Sequence, residues 1–362
     1  MIEITKAIVP PTPAYVLAIG NSIGGNVSGG ILFGNSANNL AQNSTQLFWD
    51  QANTRLGVGI AASLLARLHV KGTGATSATN SLRVQNSNNT IYFNVDDAGN
   101  IRGGGATVAN GGSSTAFGDS NQATGLYSFA AAGSGGIASG RSSVAFANLG
   151  NASGFCSGVF GREVYASADN AYAFGNYTKA TAVAAFAKGD HALSYLYGQN
   201  TSANGQFDTV VGNVTGDSQV SKLIARKEDT IASAATTTLS LDGTGATGLI
   251  IPSGNNRFIN VMVKTIATVV SITGTTTGVT VGDCYSEVKN LLFKKVAGVS
   301  SIVSTVDTNN VKSDTSMTTA LVIITAGASQ EIKTVFTAPT FVGGGTVKFR
   351  ILSEFFLSEI AY

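Results

Sequence analysis

Gln122-Ala123-Thr124-Gly125, Ile137-Ala138-Ser139-Gly140 and Asn151-Ala152-Ser153-Gly154 are three copies of one short phrase. Looser copies follow at Tyr165-Ala166-Ser167-Ala168, Lys179-Ala180-Thr181-Ala182, His191-Ala192-Leu193-Ser194 and Ser202-Ala203-Asn204-Gly205. Their central alanines stand 15, 14, 14, 14, 12 and 11 residues apart. A second phrase runs in phase with the first: an apolar residue, an aromatic, then Gly or Ala. It occurs at Ala116-Phe117-Gly118, Ala145-Phe146-Ala147, Val159-Phe160-Gly161, Ala173-Phe174-Gly175, Ala185-Phe186-Ala187 and Leu196-Tyr197-Gly198. Two marks in a repeat of about 14 residues predict two short strands and two turns per coil of a parallel solenoid.

The small residues fit that geometry. Parallel coils stack about 4.8 Å apart, so each side chain sits over its counterpart in the next coil. Ala, Ser and Thr fill a narrow interior, and Gly is expected to supply the turn dihedrals that other residues resist. One coil cannot bury its own apolar side, so neighbours must stack. Seven coils would make a rod of about 30 Å. The wall is thin, and the row Phe117, Phe146, Phe160, Phe174, Phe186 and Tyr197 is expected to pack against sister chains around a threefold axis. Trimerisation is then part of folding.

These marks resemble the head repeats of trimeric autotransporter adhesins, the YadA-like β-roll, which also occur in phage fibres. The resemblance covers about a third of the chain and implies a left-handed parallel roll in a homotrimer. On that basis the chain is expected to be all-β: a trimeric fibre with a left-handed parallel β-roll over 110–215 and a C-terminal antiparallel β-sandwich over 220–362.

Composition agrees and excludes other classes. The chain has 362 residues, 44 of them Gly and 12% charged, against about 25% charged in an average globular chain. A 43% hydrophobic content is enough for a core. The net charge of +2, from 22 basic and 20 acidic residues, excludes a strongly basic nucleic-acid binder. Cys156 and Cys284 lie 128 residues apart without a Cys or His cluster, so neither a disulfide framework nor a structural zinc site is expected. His69 and His191 are the only histidines. No run reaches the roughly 18 apolar residues of a membrane span, and the start Met1-Ile2-Glu3-Ile4-Thr5-Lys6 lacks a signal-peptide pattern. No cofactor, metal, nucleic acid or membrane insertion is expected.

The flanks differ from the repeat. Pro10-Pro11-Thr12-Pro13 is stiff and extended, which suits residues 1–45 to a docking arm that meets other virion proteins. A β-rich shaft over 46–109 is read from Leu47-Phe48-Trp49-Asp50, Arg55-Leu56-Gly57-Val58-Gly59 and Leu68-His69-Val70, a wording that resembles phage tail-fibre shafts. Asp97-Ala98-Gly99-Asn100 reads as a hairpin turn after a strand at Ile91. From 220 onward there are 12 basic and 10 acidic residues, against 4 and 6 over 110–219. The β-branched runs there alternate in polarity and predict the sandwich, which resembles the terminal domain of many phage fibres.

Candidate sites are sparse. Gly243-Thr244-Gly245-Ala246-Thr247-Gly248 fits a GxGxxG string, yet a strand follows it where a dinucleotide site needs a helix, so a loop is favoured. Glu163 and Asp169 are the pair most able to meet as glycan-cleaving carboxylates, although solvated turns are the simpler reading. Receptor contact is assigned to Tyr285 and to Asn255, Asn256 and Arg257, as groups for sugar stacking and hydrogen bonding. The expectation is a non-enzymatic phage fibre of tail or head, on the particle surface, that binds a host glycan or protein. A bacterial trimeric adhesin head and a polysaccharide-degrading tail spike are the alternatives.

Overall fold

The computed structural model describes residues 28–37, 40–60, 64–207, 216–244, 249–251, 257–296, 299–312, 317–326 and 329–361. All its regular elements are strands; no helix occurs among the described residues. The chain divides into two compact units, Met1–Gly74 and Ala75–Tyr362. Pro10–Pro13, Asn255 and Asn256 lie outside the described residues.

In the first unit, Leu47–Asp50 pairs antiparallel with Arg55–Val58, which pairs parallel with Leu68–Val70. The Asp50 carboxylate closes the turn, accepting from the Asn53 backbone N–H at 3.2 Å and from its Nδ2 at 2.9 Å. This bonding holds the Asp50 carboxyl below its ordinary value.

The second unit opens with a meander in which Asn80–Gln85 pairs antiparallel with Ile91–Asp96. Ile91–Asp96 runs antiparallel to Ile101–Gly103, and the Asp96 carboxylate accepts from the backbone N–H groups of Ala98 (3.1 Å) and Asn100 (2.9 Å). Ile101–Gly103 then starts a parallel ladder through Thr115–Phe117, Phe129–Ala131, Val144–Asn148, Gly158–Arg162, Tyr172–Asn176, Phe186–Asp190 and Asn200–Asn204. A second ladder of two-residue strands faces it, from Val108–Ala109 to Leu193–Ser194. The core between them is almost wholly alanine: Ala116, Ala130, Ala145 and Ala173 from one ladder, Ala123, Ala138, Ala152 and Ala166 from the other, all fully buried. Side chains this short let the two ladders close on each other, and close packing leaves no room for longer ones.

Two expectations change here. The repeat does not shorten at its end. Ala173 is in register with Ala187, and Ala180 with Ser194, so the period remains 14. Counting along alanines skips to Ala192 and Ala203, whereas Ser194 and Thr201 hold the inward places, because a small hydroxyl fits the same space. Glycine also does not monopolise the turns. Ser113, Tyr127, Ser142, Cys156, Asn170 and Ala184 occupy one corner of successive coils with φ between 49° and 58°. Leu149, Glu163, Tyr177 and His191 occupy the other, with φ from 51° to 62°. Such conformations cost roughly 1–2 kcal/mol for an L-residue. Each is held by a bond from its own backbone N–H to the previous coil, such as Cys156 to the Arg141 carbonyl at 2.9 Å and Ala184 to that of Asp169 at 3.0 Å.

The last rung joins the two halves of this unit. Asn200, Thr201 and Ser202 pair antiparallel with Lys222, Ser221 and Val220 of the long strand Ser218–Ile231. That strand begins a five-stranded antiparallel sheet ordered Ser218–Ile231, Thr346–Ala361, Arg257–Thr273, Cys284–Val296, Val299–Lys312. A second sheet centres on Ser329–Thr337, paired with Thr236–Thr238, Leu249–Ile251 and Thr318–Ala326. Leu223, Ile259, Val261, Phe349 and Phe355 of the first sheet form one buried cluster with Ile332 and Phe336 of the second, so the C-terminal region is an antiparallel sandwich.

Candidate functional site

The five-stranded sheet continues the longer ladder as a single sheet of 15 strands. Residues directly opposite each other in antiparallel strands share a face. Ser202 and Asn200 point outward from the roll, so their partners Val220 and Lys222 do too. The outer faces of roll and sandwich sheet are therefore one surface.

On the roll, that surface carries stacked rings. Centroid separations are 5.1 Å for Phe129–Phe146, 5.4 Å for Phe146–Phe160, 4.7 Å for Phe160–Phe174 and 5.3 Å for Phe174–Phe186. The stack remains partly open; Phe146 is 39% exposed. Phe117 lies before it, its ring over Gly103. Tyr197 does not belong to the row: it sits in a turn and packs on the sandwich core, because the 14-residue register puts Asn200, not an aromatic, opposite Phe186. Phe129 takes a place in the stack that the aromatic-then-small phrase passes over.

On the sandwich, the same surface is apolar where it lies in line with the roll. Val220 and Ile224, Phe356 and Ile360, Phe258 and Met262, then Leu292 and Val296 expose their side chains on adjacent strands. Phe258 and Met262 are each 39% exposed while Ile259, Val261 and Val263 between and beside them are buried. The signal was present as Phe258-Ile259-Asn260-Val261-Met262-Val263, an almost unbroken apolar run, which marks a strand covered on both faces. Lys222 crosses the patch, pairing with Glu354 at 3.2 Å and lying 5.3 Å from the Phe356 ring centroid.

Farther along the same strands the surface sinks into a cleft of about 800 Å³. Ile266 and Leu352 lie at its centre, opposite each other across the strand pair. Arg226, Glu228, Arg350 and Asp242 stand around it. Glu228 is held by Lys348 at 2.5 Å and Arg350 at 2.7 Å, and these two cations keep its carboxyl below the ordinary range. Cys284, exposed and in no disulfide, lines the same cleft.

Two of the assigned receptor-contact residues are buried instead. Arg257 is 1% exposed and donates from one guanidinium nitrogen to Glu359 at 2.9 Å and to the Gly216 carbonyl at 2.8 Å. It faces inward because the strand alternates from Arg257 onward, with Phe258 outside. Burial pushes the Glu359 carboxyl above its ordinary value, while Arg257 and bonds from Gln219, Tyr195 and Ser221 pull it down. Burial likewise raises the Tyr195 hydroxyl, with Glu359 adding to the effect, and lowers the Lys295 ammonium, which lies opposite Arg257. Tyr285 is 2% exposed; its hydroxyl donates to Glu287, which also accepts from Thr319 and pairs with Lys289 at 2.9 Å. Burial works to raise Glu287, but these bonds outweigh it and hold the carboxyl low; the Tyr285 hydroxyl is pushed up by burial and by Glu287. Both groups brace the interior, so neither offers a sugar-stacking surface.

The carboxylate pair does not assemble either. Glu163 is at the corner after Gly158–Arg162, beside Arg162 at 3.3 Å. Asp169 is at the opposite corner, accepting from the Phe155 backbone N–H at 2.8 Å. Among the described residues, no three His, Cys, Asp or Glu side chains gather as a metal site.

No protein-family model matches the chain, and no curated protein does. Among solved structures, the chain is similar to the crystal structure of the Acinetobacter baumannii phage AM24 tailspike protein, at 11% identity over 71% of this chain and 52% of that one, with a TM-score of 0.19. It is also similar to the tailspike protein of Acinetobacter phage vB_ApiP_P1, at 13% identity over 68% of this chain and 56% of that one, with a TM-score of 0.15. The chain spans about half the length of these tailspikes.

Proposed function

We propose that this chain is a structural fibre of a bacteriophage particle that assembles as a homotrimer and attaches the particle to its host. The observation that carries the proposal is the single outer face, on which the Phe129–Phe186 stack and the apolar patch of the sandwich lie on either side of the polar rung Asn200–Ser202. Monomeric soluble proteins rarely leave a contiguous apolar patch larger than a few hundred Å² in water. Three copies with these faces turned inward bury both features at once. Phe117, Phe146, Phe160, Phe174 and Phe186 would then meet their counterparts near the axis, and the roll would be of the left-handed YadA-like kind.

In this arrangement residues 1–45 dock to other virion proteins, 46–109 form the shaft, 110–215 the roll and 220–362 the host-facing tip. Attachment works by avidity. Three identical tips on one stalk turn weak single contacts with a host glycan or protein into firm binding. A mass near three times 36.8 kDa by light scattering under native conditions is expected; a stable monomer would refute the trimer. Purified protein should also block adsorption of the particles that carry it. Release of reducing sugar from host envelopes by the same protein would instead support the polysaccharide-degrading spike.

A further inference from the structure

We propose that the cleft beneath Arg226 and Arg350 binds an acidic oligosaccharide, with the Arg226 guanidinium taking the saccharide carboxylate. The proposal rests on the attachment reading above and adds a site and a ligand class to it.

Position comes first. Only Val220, Ser221 and Lys222 of the strand Ser218–Ile231 pair with the roll's last rung. Arg226 lies four residues farther on, about 13 Å at roughly 3.3 Å per residue. The cleft thus sits on the part of the sheet that extends sideways past the roll, away from the line of stacked rings that the trimer would cover. Its volume of about 800 Å³ falls within the roughly 300–1,000 Å³ of small-ligand sites.

The lining fits a sugar acid. Ile266, 44% exposed, and Leu352 give an aliphatic floor for the C–H faces of pyranose rings. The Thr268 and Ser286 hydroxyls stand beside that floor on adjacent strands, within reach of ligand hydroxyls. The two arginines differ. Arg350 is committed to Glu228 at 2.7 Å. The Arg226 side chain has no hydrogen bond or ion pair among the described residues, although its backbone is fixed by a bond to Ser240 at 3.0 Å. A guanidinium offers a planar fork that matches a carboxylate with two parallel bonds. With Glu228 already neutralised by Lys348 and Arg350, Arg226 supplies the attracting charge.

Cys284 makes the test direct, because it lines the cleft while Cys156 sits at a corner of the roll. Alkylation of both thiols by iodoacetamide is followed in the full-length protein with tetragalacturonate, or with neutral maltotetraose, as the probe. At ten times its dissociation constant, tetragalacturonate should slow Cys284 roughly tenfold by occupancy and leave Cys156 unchanged. Arg226→Ala should abolish the protection without altering the native mass. No protection by tetragalacturonate, equal protection by maltotetraose, or a drop in native mass with Arg226→Ala would each overturn the proposal, the last by making the cleft a subunit seam. Adsorption competition separates the two readings. If the protein blocks adsorption but Cys284 is not protected, the cleft proposal fails alone; if Cys284 is protected but adsorption proceeds, the attachment reading fails alone.

Discussion

Gly140→Ala probes how tightly the coils are stacked. Gly140 does not have a left-handed φ, so its backbone accepts alanine. The obstacle is the next coil: a Cβ there would lie 2.0 Å from the Gly154 carbonyl oxygen, 2.7 Å from its carbon and 2.9 Å from the Ser153 carbonyl oxygen. A relaxed C···O contact is about 3.3 Å or longer, so the coils must part locally by roughly 1.3 Å. That strain falls on the Ser139 and Gly140 N–H bonds to the Ala152 carbonyl, at 3.0 and 3.1 Å, and on the Ser143 hydroxyl bond to the Gly140 carbonyl at 2.7 Å. At about 1 kcal/mol for each bond broken, and more where a buried group is left unsatisfied, the cost is roughly 3–5 kcal/mol. Gly198→Ala is the control. Nothing lies within 4 Å of a Cβ there, but φ is +64°, so only the conformational cost of about 1–2 kcal/mol applies. Urea midpoints followed by far-UV circular dichroism, or unfolding rates where melting is irreversible, rank the two variants. If Gly198→Ala is as damaging as Gly140→Ala, the close approach of the coil bearing Gly154 is not the obstacle at Gly140; Ala168 and Ala182 hold the same place in later coils.

Ala184→Gly should stabilise the roll by about 0.5–1 kcal/mol in the same assay, since the residue is exposed at φ 57° and glycine removes the Cβ penalty without giving up any buried packing. Phe160→Ala removes two stacked pairs, about 1–3 kcal/mol within one chain; if the proposed trimer forms, it should also shift the native mass toward monomer on dilution, which sedimentation velocity would detect. Glu359 gives a pH signature whose sign follows from its raised carboxyl pKa. The folded state holds that proton more tightly than the unfolded chain, so this group's contribution is fully present below the ordinary value of 4.5 and is lost as pH rises through the folded value. Wild type should therefore lose stability relative to Glu359→Gln across that window; a relative gain would mean that the attraction of Arg257 outweighs burial.

The roll was legible because its constraint is local and repeated: alanine inside and an aromatic outside, once per coil. Its end is harder to read for the same reason. Position, not residue type, repeats, and Ser194 and Thr201 satisfy the position without the alanine. The sandwich strands were legible from β-branched runs, but their pairing order depends on contacts between segments more than 100 residues apart, such as Ile231 opposite Val347. Arg257 looked like a surface group because charged residues usually are; only the fold brings Glu359 against it. The cleft gathers Arg226, Asp242, Ile266, Cys284 and Arg350 from separate strands and a loop, and no spacing in the chain announces that convergence.

The strand order of the large sheet also has a consequence for synthesis. Thr346–Ala361 lies between Ser218–Ile231 and Arg257–Thr273, touching both along nearly its whole length. Those two earlier strands leave the ribosome long before the one that separates them exists. Ser218–Ile231 can pair with the roll's last rung as it emerges, but the sheet beyond it stays open until Thr346–Ala361 is inserted. Until then the nascent chain carries raw hydrogen-bonding margins that invite adhesion to other chains. Insertion of Thr346–Ala361 thus acts as the latch of this sheet, and chains interrupted before residue 346 should be found in aggregates.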